Sequence, residues 1–323
     1  MINVSLVIPV FNETDSIISL LESVEQQTLQ PTEVVIVDGE STDDTVFKIQ
    51  NFIFTKSNYT LLQPGRAMPG RGRNIGTAAA KYHWIAYTDA GIKLDINWLK
   101  NLAETANLHK EASIVYGNYH PIVETAFDKA AVINYVSPLR NGENRGKSIA
   151  SCLVKKEVWN RVEGFPDWRA AEDLIFMEKA EKAGFTFVYC PAAIIHWKLS
   201  PDYIRTFKKF DMYTKYNVWA KRGNQWYRGA FQQLLIYAFI VLAACIINWW
   251  LLLLIPAWLM VRAVKRIYNH KYQFGIQSIF SPTLITKVTL LSVVIDIAII
   301  LGCVKAFIQG GHDWRKKQIK KEN

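Results

Sequence analysis

Cysteine is scarce in this 323-residue chain, and the few present exclude two kinds of protein. Cys152, Cys190, Cys245 and Cys303 are not paired at metal-ligand spacing, and two of them lie inside apolar runs. Neither a disulfide framework nor a zinc site follows, which agrees with a reducing cytosol. A secretory leader is also missing from the expected place. No basic segment precedes a long apolar one, and Val4–Val10 is short, β-branched and followed by Asn-Glu, as a strand would be. Acidic residues run short in one region only. From residue 226 onward there are 12 Lys and Arg against 3 Asp and Glu, whereas the first 225 residues hold 26 against 25. The positive excess therefore lies beside the apolar segments, where anionic headgroups attract it. A nucleic-acid binder would be basic throughout, so nucleic acid is not an expected partner. Gly-x-Gly-x-x-Gly is lacking after the first strand, where the chain reads Pro9-Val10-Phe11-Asn12-Glu13. That absence excludes a Rossmann dehydrogenase.

What is present is an alternation of strands and helices. Val4–Val10 reads as a buried strand, and residues 14–25 carry Ile17, Ile18, Leu20, Leu21 and Val24 at helical spacing, with Asn12 as N-cap. Residues 33–37 form a second strand, and Ser41 with Asp44 reads as a capping box for the following helix. Strands follow at 59–62 and 83–88, and helices at 73–81 and 96–106. Shorter strands are expected at 113–119, 149–154 and 185–189, around a helix over 173–183 closed by Gly184. Strands separated by helices of this length imply an α/β fold, a mostly parallel sheet with helices on both faces. Ligands of such sheets bind at the carboxyl ends of the strands, where Asp38 and Asp89 stand.

The last third differs. Tyr203, Phe207, Phe210, Met212, Tyr216 and Trp219 recur at helical spacing among Lys208, Lys209, Lys215, Lys221 and Arg222, a pattern for a helix in the membrane interface or one that closes the domain. Residues 231–261 are almost wholly apolar and make one long tilted helix or a hairpin of two, Asn248-Trp249-Trp250 suiting the turn. A second run, 284–308, is long enough to span, with Asp296 at its middle, where an ionisable group faces protein or a polar cavity. The organisation expected is a domain over 1–225, an anchor of two or three hydrophobic helices over 226–311, and a basic tail over 312–323.

Five segments carry chemistry. Pro9, Phe11 and Glu13 end the first strand, where free backbone groups meet a planar base. Asp38 ends the second, within Val37-Asp38-Gly39-Glu40-Ser41-Thr42-Asp43-Asp44-Thr45, and a carboxylate there accepts from a base N–H; Asp43 and Asp44 read as acidic charge at a helix start. Gly70-Arg71-Gly72-Arg73-Asn74-Ile75-Gly76 permits close backbone approach, and its two arginines suit a diphosphate. Thr88-Asp89-Ala90-Gly91 places a carboxylate able to hold Mg²⁺ or Mn²⁺. Glu172-Asp173 opens a helix, where a carboxylate takes a proton from an attacking hydroxyl or simply caps the helix. His196 follows an apolar stretch and is a metal ligand or a structural histidine.

In this order the segments resemble the family-2 glycosyltransferases with a GT-A fold, over about residues 2–200. The resemblance implies that Pro9, Phe11, Glu13 and Asp38 line a nucleoside pocket, that Arg73 and Asn74 lie near the sugar-phosphate, and that Asp89 is the first carboxylate of an Asp-x-Asp motif. It makes Asp173 the catalytic base with Glu172 beside it, and Asp89 and His196 the metal ligands. The expected activity is inverting transfer of one sugar from a nucleotide-diphosphate sugar, UDP-linked in the first instance, to a sugar or lipid-linked acceptor, at the cytoplasmic side of a membrane whose lipids the anchor contacts. The alternative is a non-catalytic membrane scaffold that keeps the fold. Two departures stand out. Gly91 replaces the second carboxylate of Asp-x-Asp, so the site for Mg²⁺ or Mn²⁺ is atypical. Lys215–Arg222 lacks the Gln-x-x-Arg-Trp of processive synthases, which implies a single transfer.

Overall fold

The structure, a computed structural model, describes residues 2–138, 146–222 and 226–309. The chain forms two compact units, residues 1–122 with 142–198, and residues 123–141 with 199–323. The basic tail over 312–323 lies outside the described residues.

The first unit is built on one eight-stranded sheet. Its strands are β1 (Val4–Val10), β2 (Glu33–Asp38), β3 (Tyr59–Leu62), β4 (Trp84–Tyr87), β5 (Ile92–Leu94), β6 (Ile114–Ile122), β7 (Cys152–Lys155) and β8 (Phe187–Lys198). Its helices are α1 (Ile17–Glu25), α2 (Thr45–Ile53), α3 (Pro69–Ala79) and α4 (Trp98–Leu108); further along come α6 (Lys156–Arg161) and α7 (Glu172–Lys182). The order across the sheet is β3-β2-β1-β4-β7-β6-β8-β5. From β3 to β4 all pairs are parallel, as the strand–helix alternation predicts. Beyond β4 the sheet is mixed: β7 runs antiparallel to β4 and β6, and β5 runs antiparallel to β8. β5, only three residues long, is not foreseen from the sequence, and β8 runs well past the expected strand at 185–189.

β1 and β2 are buried on both faces, so their residues divide by parity rather than alternating apolar and polar. Leu6, Ile8, Val34 and Ile36 join a core with Leu20 and Leu21 of α1 and Trp98 and Leu102 of α4. Val7, Val35 and Val37 face the other way, into a core with Phe176 and Met177 of α7. On that second face α3 lies close to the sheet. A Cβ added at Gly72 would stand 3.1 Å from Cβ of Pro9, and one at Gly76 only 2.5 Å from Cγ1 of Val7. The glycine-rich segment is therefore the packing face of a helix that begins at Pro69, four residues earlier than the sequence suggests.

Two capping expectations are replaced by contacts between loops. Asn12 has φ +54° and is not the cap of α1; its Oδ1 accepts from the backbone of Thr42 at 2.8 Å. Ser41 makes no capping box for α2, because its hydroxyl accepts from the backbone of Asn12 at 2.8 Å. These two bonds tie the loop after β1 to the loop after β2.

The second unit is helical: α5 (Ala126–Tyr135), α8 (Tyr203–Trp219), α9 (Arg228–Ile246), α10 (Leu254–Asn269), α11 (Lys271–Phe274) and α12 (Pro282–Ile308). The apolar stretch at 231–261 divides near Asn248, whose side chain accepts from the backbone of Trp250 and caps a 3-10 turn over Trp249–Leu253. Among the described residues, α9 and α12 are long and apolar enough to cross a membrane. α10 bears Arg262, Lys265 and Arg266. Asp296 in α12 finds its partner there: Arg262 grips both carboxylate oxygens, Nη2 to Oδ1 at 2.9 Å. One turn on, Arg266 donates to Oδ1 of Asn134 in α5 at 2.7 Å, and Ser292 shares that oxygen at 2.6 Å. α5 is thus pinned by part-buried polar bonds, which a lowered dielectric strengthens.

Gly76→Ala tests the reading of α3. Overpacking against Val7 costs about 1–3 kcal/mol, more than the roughly 1 kcal/mol that alanine gains over glycine in a helix. The melting midpoint of the full chain in detergent is expected to fall by a few degrees; an unchanged or raised midpoint would show that α3 does not press on β1.

Candidate active site

The site assembles where β4 ends. Asp89 follows this strand by two residues, and Gly91, with φ +83°, turns the chain into β5. α3 delivers Arg73 from one side. The first turn of α7 delivers Glu172 and Asp173 from another, after a loop turned by Ala171 in the left-handed region at φ +64°. Gly70 fits α3 against this loop: a Cβ there would lie 1.8 Å from the Pro166 carbonyl oxygen and 3.3 Å from Cβ of Glu172.

Arg73 joins these parts. Its Nη1 donates to Oε1 of Glu172 at 2.7 Å and its Nη2 to Oδ1 of Asp89 at 2.5 Å. The Arg73 and Glu172 side chains are only 3% and 6% exposed, whereas Asp89 is 39% exposed. One end of the bridge is dry and the other reaches solvent. Phe165 lies over the guanidinium, 5.6 Å from ring centroid to Cζ, and stacks on Phe176 at 4.1 Å. Planar geometry and two parallel sets of donors allow arginine to hold two carboxylates at once; lysine, a point charge, would not.

Burial dominates the acids. It pushes Glu172 up to about 7 although Arg73 pulls the other way, and Asp173 adds like charge. Oε2 of Glu172 is buried without a hydrogen-bond partner among the described residues. Asp173 is also raised by burial, with Arg73 opposing. A carboxylate raised toward neutrality is a better proton acceptor than one left at its ordinary value.

Glu13 lies beside this group. Ser16 donates to its Oε2 at 2.5 Å, and a Cβ added at Gly91 would come within 3.4 Å of the same oxygen. Burial raises its carboxyl, Arg169 lowers it, and Asp89 raises it further. Arg169 carries no signal of its own in the sequence beyond its place three residues before Glu172. The other expected residues are engaged locally. Asp38 is buried and accepts from the backbone of Glu40 and Ser41, both at 3.1 Å. Asn74 clamps the loop ahead of Trp168: its Oδ1 accepts from Trp159 Nε1 at 2.9 Å and from the Phe165 backbone at 2.8 Å. Pro9 packs toward Gly72, and Phe11 is 42% exposed. His196 sits in β8, opposite Lys93 of β5 and His120 of β6, its ring 6.2 Å from that of His120. Among the described residues no group of three or more His, Cys, Asp or Glu could hold a metal ion. Asp89 is the exposed carboxylate suited to a single-carboxylate anchor, which the oxygens of a bound diphosphate would have to complete.

Sequence and fold comparisons meet at this geometry. The model of Glycosyl transferase family 2 matches residues 5–164, from β1 to the loop that carries Phe165. The chain carries a family 2 glycosyltransferase domain. Glycosyltransferase GlyG of Streptococcus pneumoniae is 26% identical over 36% of this chain and 39% of its own length. The UDP-Glc:alpha-D-GlcNAc-diphosphoundecaprenol beta-1,3-glucosyltransferase WfgD of Escherichia coli is 30% identical over 44% and 54%. The chain thus spans about half the length of the curated relatives it matches. The mannosyltransferase PcManGT from Pyrobaculum calidifontis, solved with GDP-Man and Mn²⁺, superposes with a TM-score of 0.56 at 19% identity, covering 95% of this chain and 87% of that one. The likeness bears out the expected GT-A fold. Divalent metal use is compatible with that fold.

Titration of Glu172 gives a test. Its carboxyl is raised from 4.5 to about 7 in the folded state, so the folded protein binds this proton more tightly than the unfolded chain. Its contribution to stability is full below about 4.5 and declines as pH rises through about 7. Melting midpoints of the wild type relative to Glu172→Gln are expected to fall between pH 5 and pH 8. A difference independent of pH would contradict the burial argument.

Proposed function

We propose that this chain transfers a single sugar, with inversion, from a UDP-linked donor to a hydroxyl or phosphate of a lipid-linked acceptor in surface-polysaccharide or glycolipid assembly. The observation that carries the reading is the Arg73 bridge, which holds a solvent-facing carboxylate and a buried acidic pair in one place at the end of β4. The WfgD relative names a UDP sugar and a polyprenyl-diphosphate acceptor, which supports the donor and acceptor classes.

In this reading Phe11, Pro9 and Asp38 border the nucleoside, Asp38 acting through the turn it holds. Asp89 faces the donor diphosphate. Asp173 takes the proton from the acceptor hydroxyl as its oxygen attacks the anomeric carbon from the face opposite the departing diphosphate. Glu172 stays beside it, tied to Arg73, and Asn74 supports the loop that presents both. Glu13 completes the acidic wall next to Gly91. Mg²⁺ or Mn²⁺ would be held by Asp89, with His196 as the further candidate ligand, and supplies charge stabilisation on the leaving diphosphate when bound. In this reading both apolar helices lie in a membrane, which their length and composition support, with the catalytic unit on the cytoplasmic side where nucleotide sugars are made.

The direct test is a panel of nucleotide sugars offered to the purified full chain with polyprenyl-phosphate-linked and soluble acceptors. Transfer from a UDP sugar to the lipid-linked acceptor is expected, and Asp173→Asn should lower turnover by about 10²–10⁴-fold, the usual worth of a positioned base, while donor binding persists. Glycosylation of soluble acceptors alone removes the lipid reading, and full turnover in Asp173→Asn removes the base.

A further inference from the structure

The start of α9 carries a groove that the transferase reading leaves unused. Its volume is about 470 Å³, and it is lined by Tyr227, Arg228, Phe231, Gln232 and Leu235. These positions recur at one and four residues, so they share one face of the helix. Tyr227 and Phe231 form a fixed aromatic wall, edge to face with centroids 5.6 Å apart. Arg228 and Gln232 are exposed, Leu235 is 69% exposed, and Arg228 makes no ion pair with any described residue.

The surrounding helix says what belongs there. Arg228 is the sole charged residue of α9 and stands at its first position; the next 18 residues are apolar apart from Gln232, Gln233 and Tyr237. At 1.5 Å per residue the helix is about 28 Å long, close to the roughly 30 Å of a hydrocarbon core. Trp226 and Tyr227 precede this run and Trp249 and Trp250 follow it, as aromatic residues do at the two faces of a bilayer. Arg228 therefore lies at headgroup depth, and Leu235 about two turns deeper. A soluble anion would leave the aromatic wall idle, and a purely apolar ligand would leave the guanidinium without a partner.

We propose that this groove binds an isoprenyl phosphate, with Arg228 and Gln232 on the phosphate and Tyr227, Phe231 and Leu235 along the first carbons of the chain. The cation and the Phe231 wall are one helical turn apart, about 5 Å. This spacing suits hydrocarbon attached directly to phosphate, whereas a glycerol ester would set its chains further off. The inference deepens the proposed function by giving the lipid acceptor a place on this chain, and it rests on that reading for its biological role.

The experiment uses the full chain in phosphatidylcholine nanodiscs, without donor sugar, and a farnesyl phosphate analogue carrying a diazirine next to its phosphate. Photolabelling is expected within residues 227–235, competed by unlabelled farnesyl phosphate. It should fall at least fivefold in Arg228→Ala, persist in Arg228→Lys, and fall when Leu235→Trp fills the groove. Equal labelling in Arg228→Ala would overturn the proposal. So would equal competition by farnesol, by phosphatidic acid or by inorganic phosphate, which would mark the groove as a bare apolar surface, a general lipid contact or a free-anion site. Should Arg228→Ala fail to fold, Leu235→Trp and the competition series decide alone. Since capture is read without donor, loss of transfer with intact capture counts against the transferase reading, and the reverse result counts against the groove.

Discussion

A buried guanidinium with carboxylates on two sides is the constraint from which the rest of the catalytic unit follows. Arg73 is taken almost entirely out of water, and removing one partner of such a pair costs about 3–5 kcal/mol. Glu172 repays that cost from the dry side and Asp89 from the wet side. The chain must therefore bring α3, the end of β4 and the start of α7 to one point. Several features that read separately as oddities serve this meeting: the glycines of α3, the left-handed Ala171, and Asn74 spending its amide on the loop ahead of α7.

The same constraint sets the electrostatics. Arg73 offsets much of the charge of Glu172 and Asp89 but leaves Asp173 and one oxygen of Glu172 in a poorly solvated place. Burial then raises both acids, which favours proton acceptance. At Gly91 the missing side chain leaves room beside the Glu13 carboxylate. Acidic character is thus kept by Glu13 and Asp89, which follow the ends of β1 and β4, without the second residue of an Asp-x-Asp motif.

Much of the fold was legible because β1 and β2 are apolar apart from Ser5 and the terminal Glu33 and Asp38, and α1 between them keeps helical spacing. The parallel half of the sheet follows from that alone. The mixed half was harder to read: β5 has three residues, and β8 extends through Pro191 and polar positions that carry no strand signal. The site was legible as a set of residue types at strand and helix ends. Their partners were not. Arg73 and Asn74 read as ligands of a phosphate, and only packing shows Arg73 turned inward to Glu172 and Asn74 turned to Trp159 and Phe165. Asp296 illustrates the same limit, since its partner Arg262 is 34 residues away and becomes a neighbour through the turns over 270–281 that return α12 along α10.

Arg73, Glu172 and Asp89 are expected to act as one unit, and a double-mutant cycle on sugar transfer measures that coupling. Turnover and donor binding would be compared for Arg73→Met, Glu172→Gln and the two combined. If the bridge is real, Arg73→Met leaves a buried carboxylate uncompensated, and adding Glu172→Gln relieves it, so the double variant loses no more than Arg73→Met alone. Losses that simply multiply would mean that the two residues act independently and would contradict the bridge.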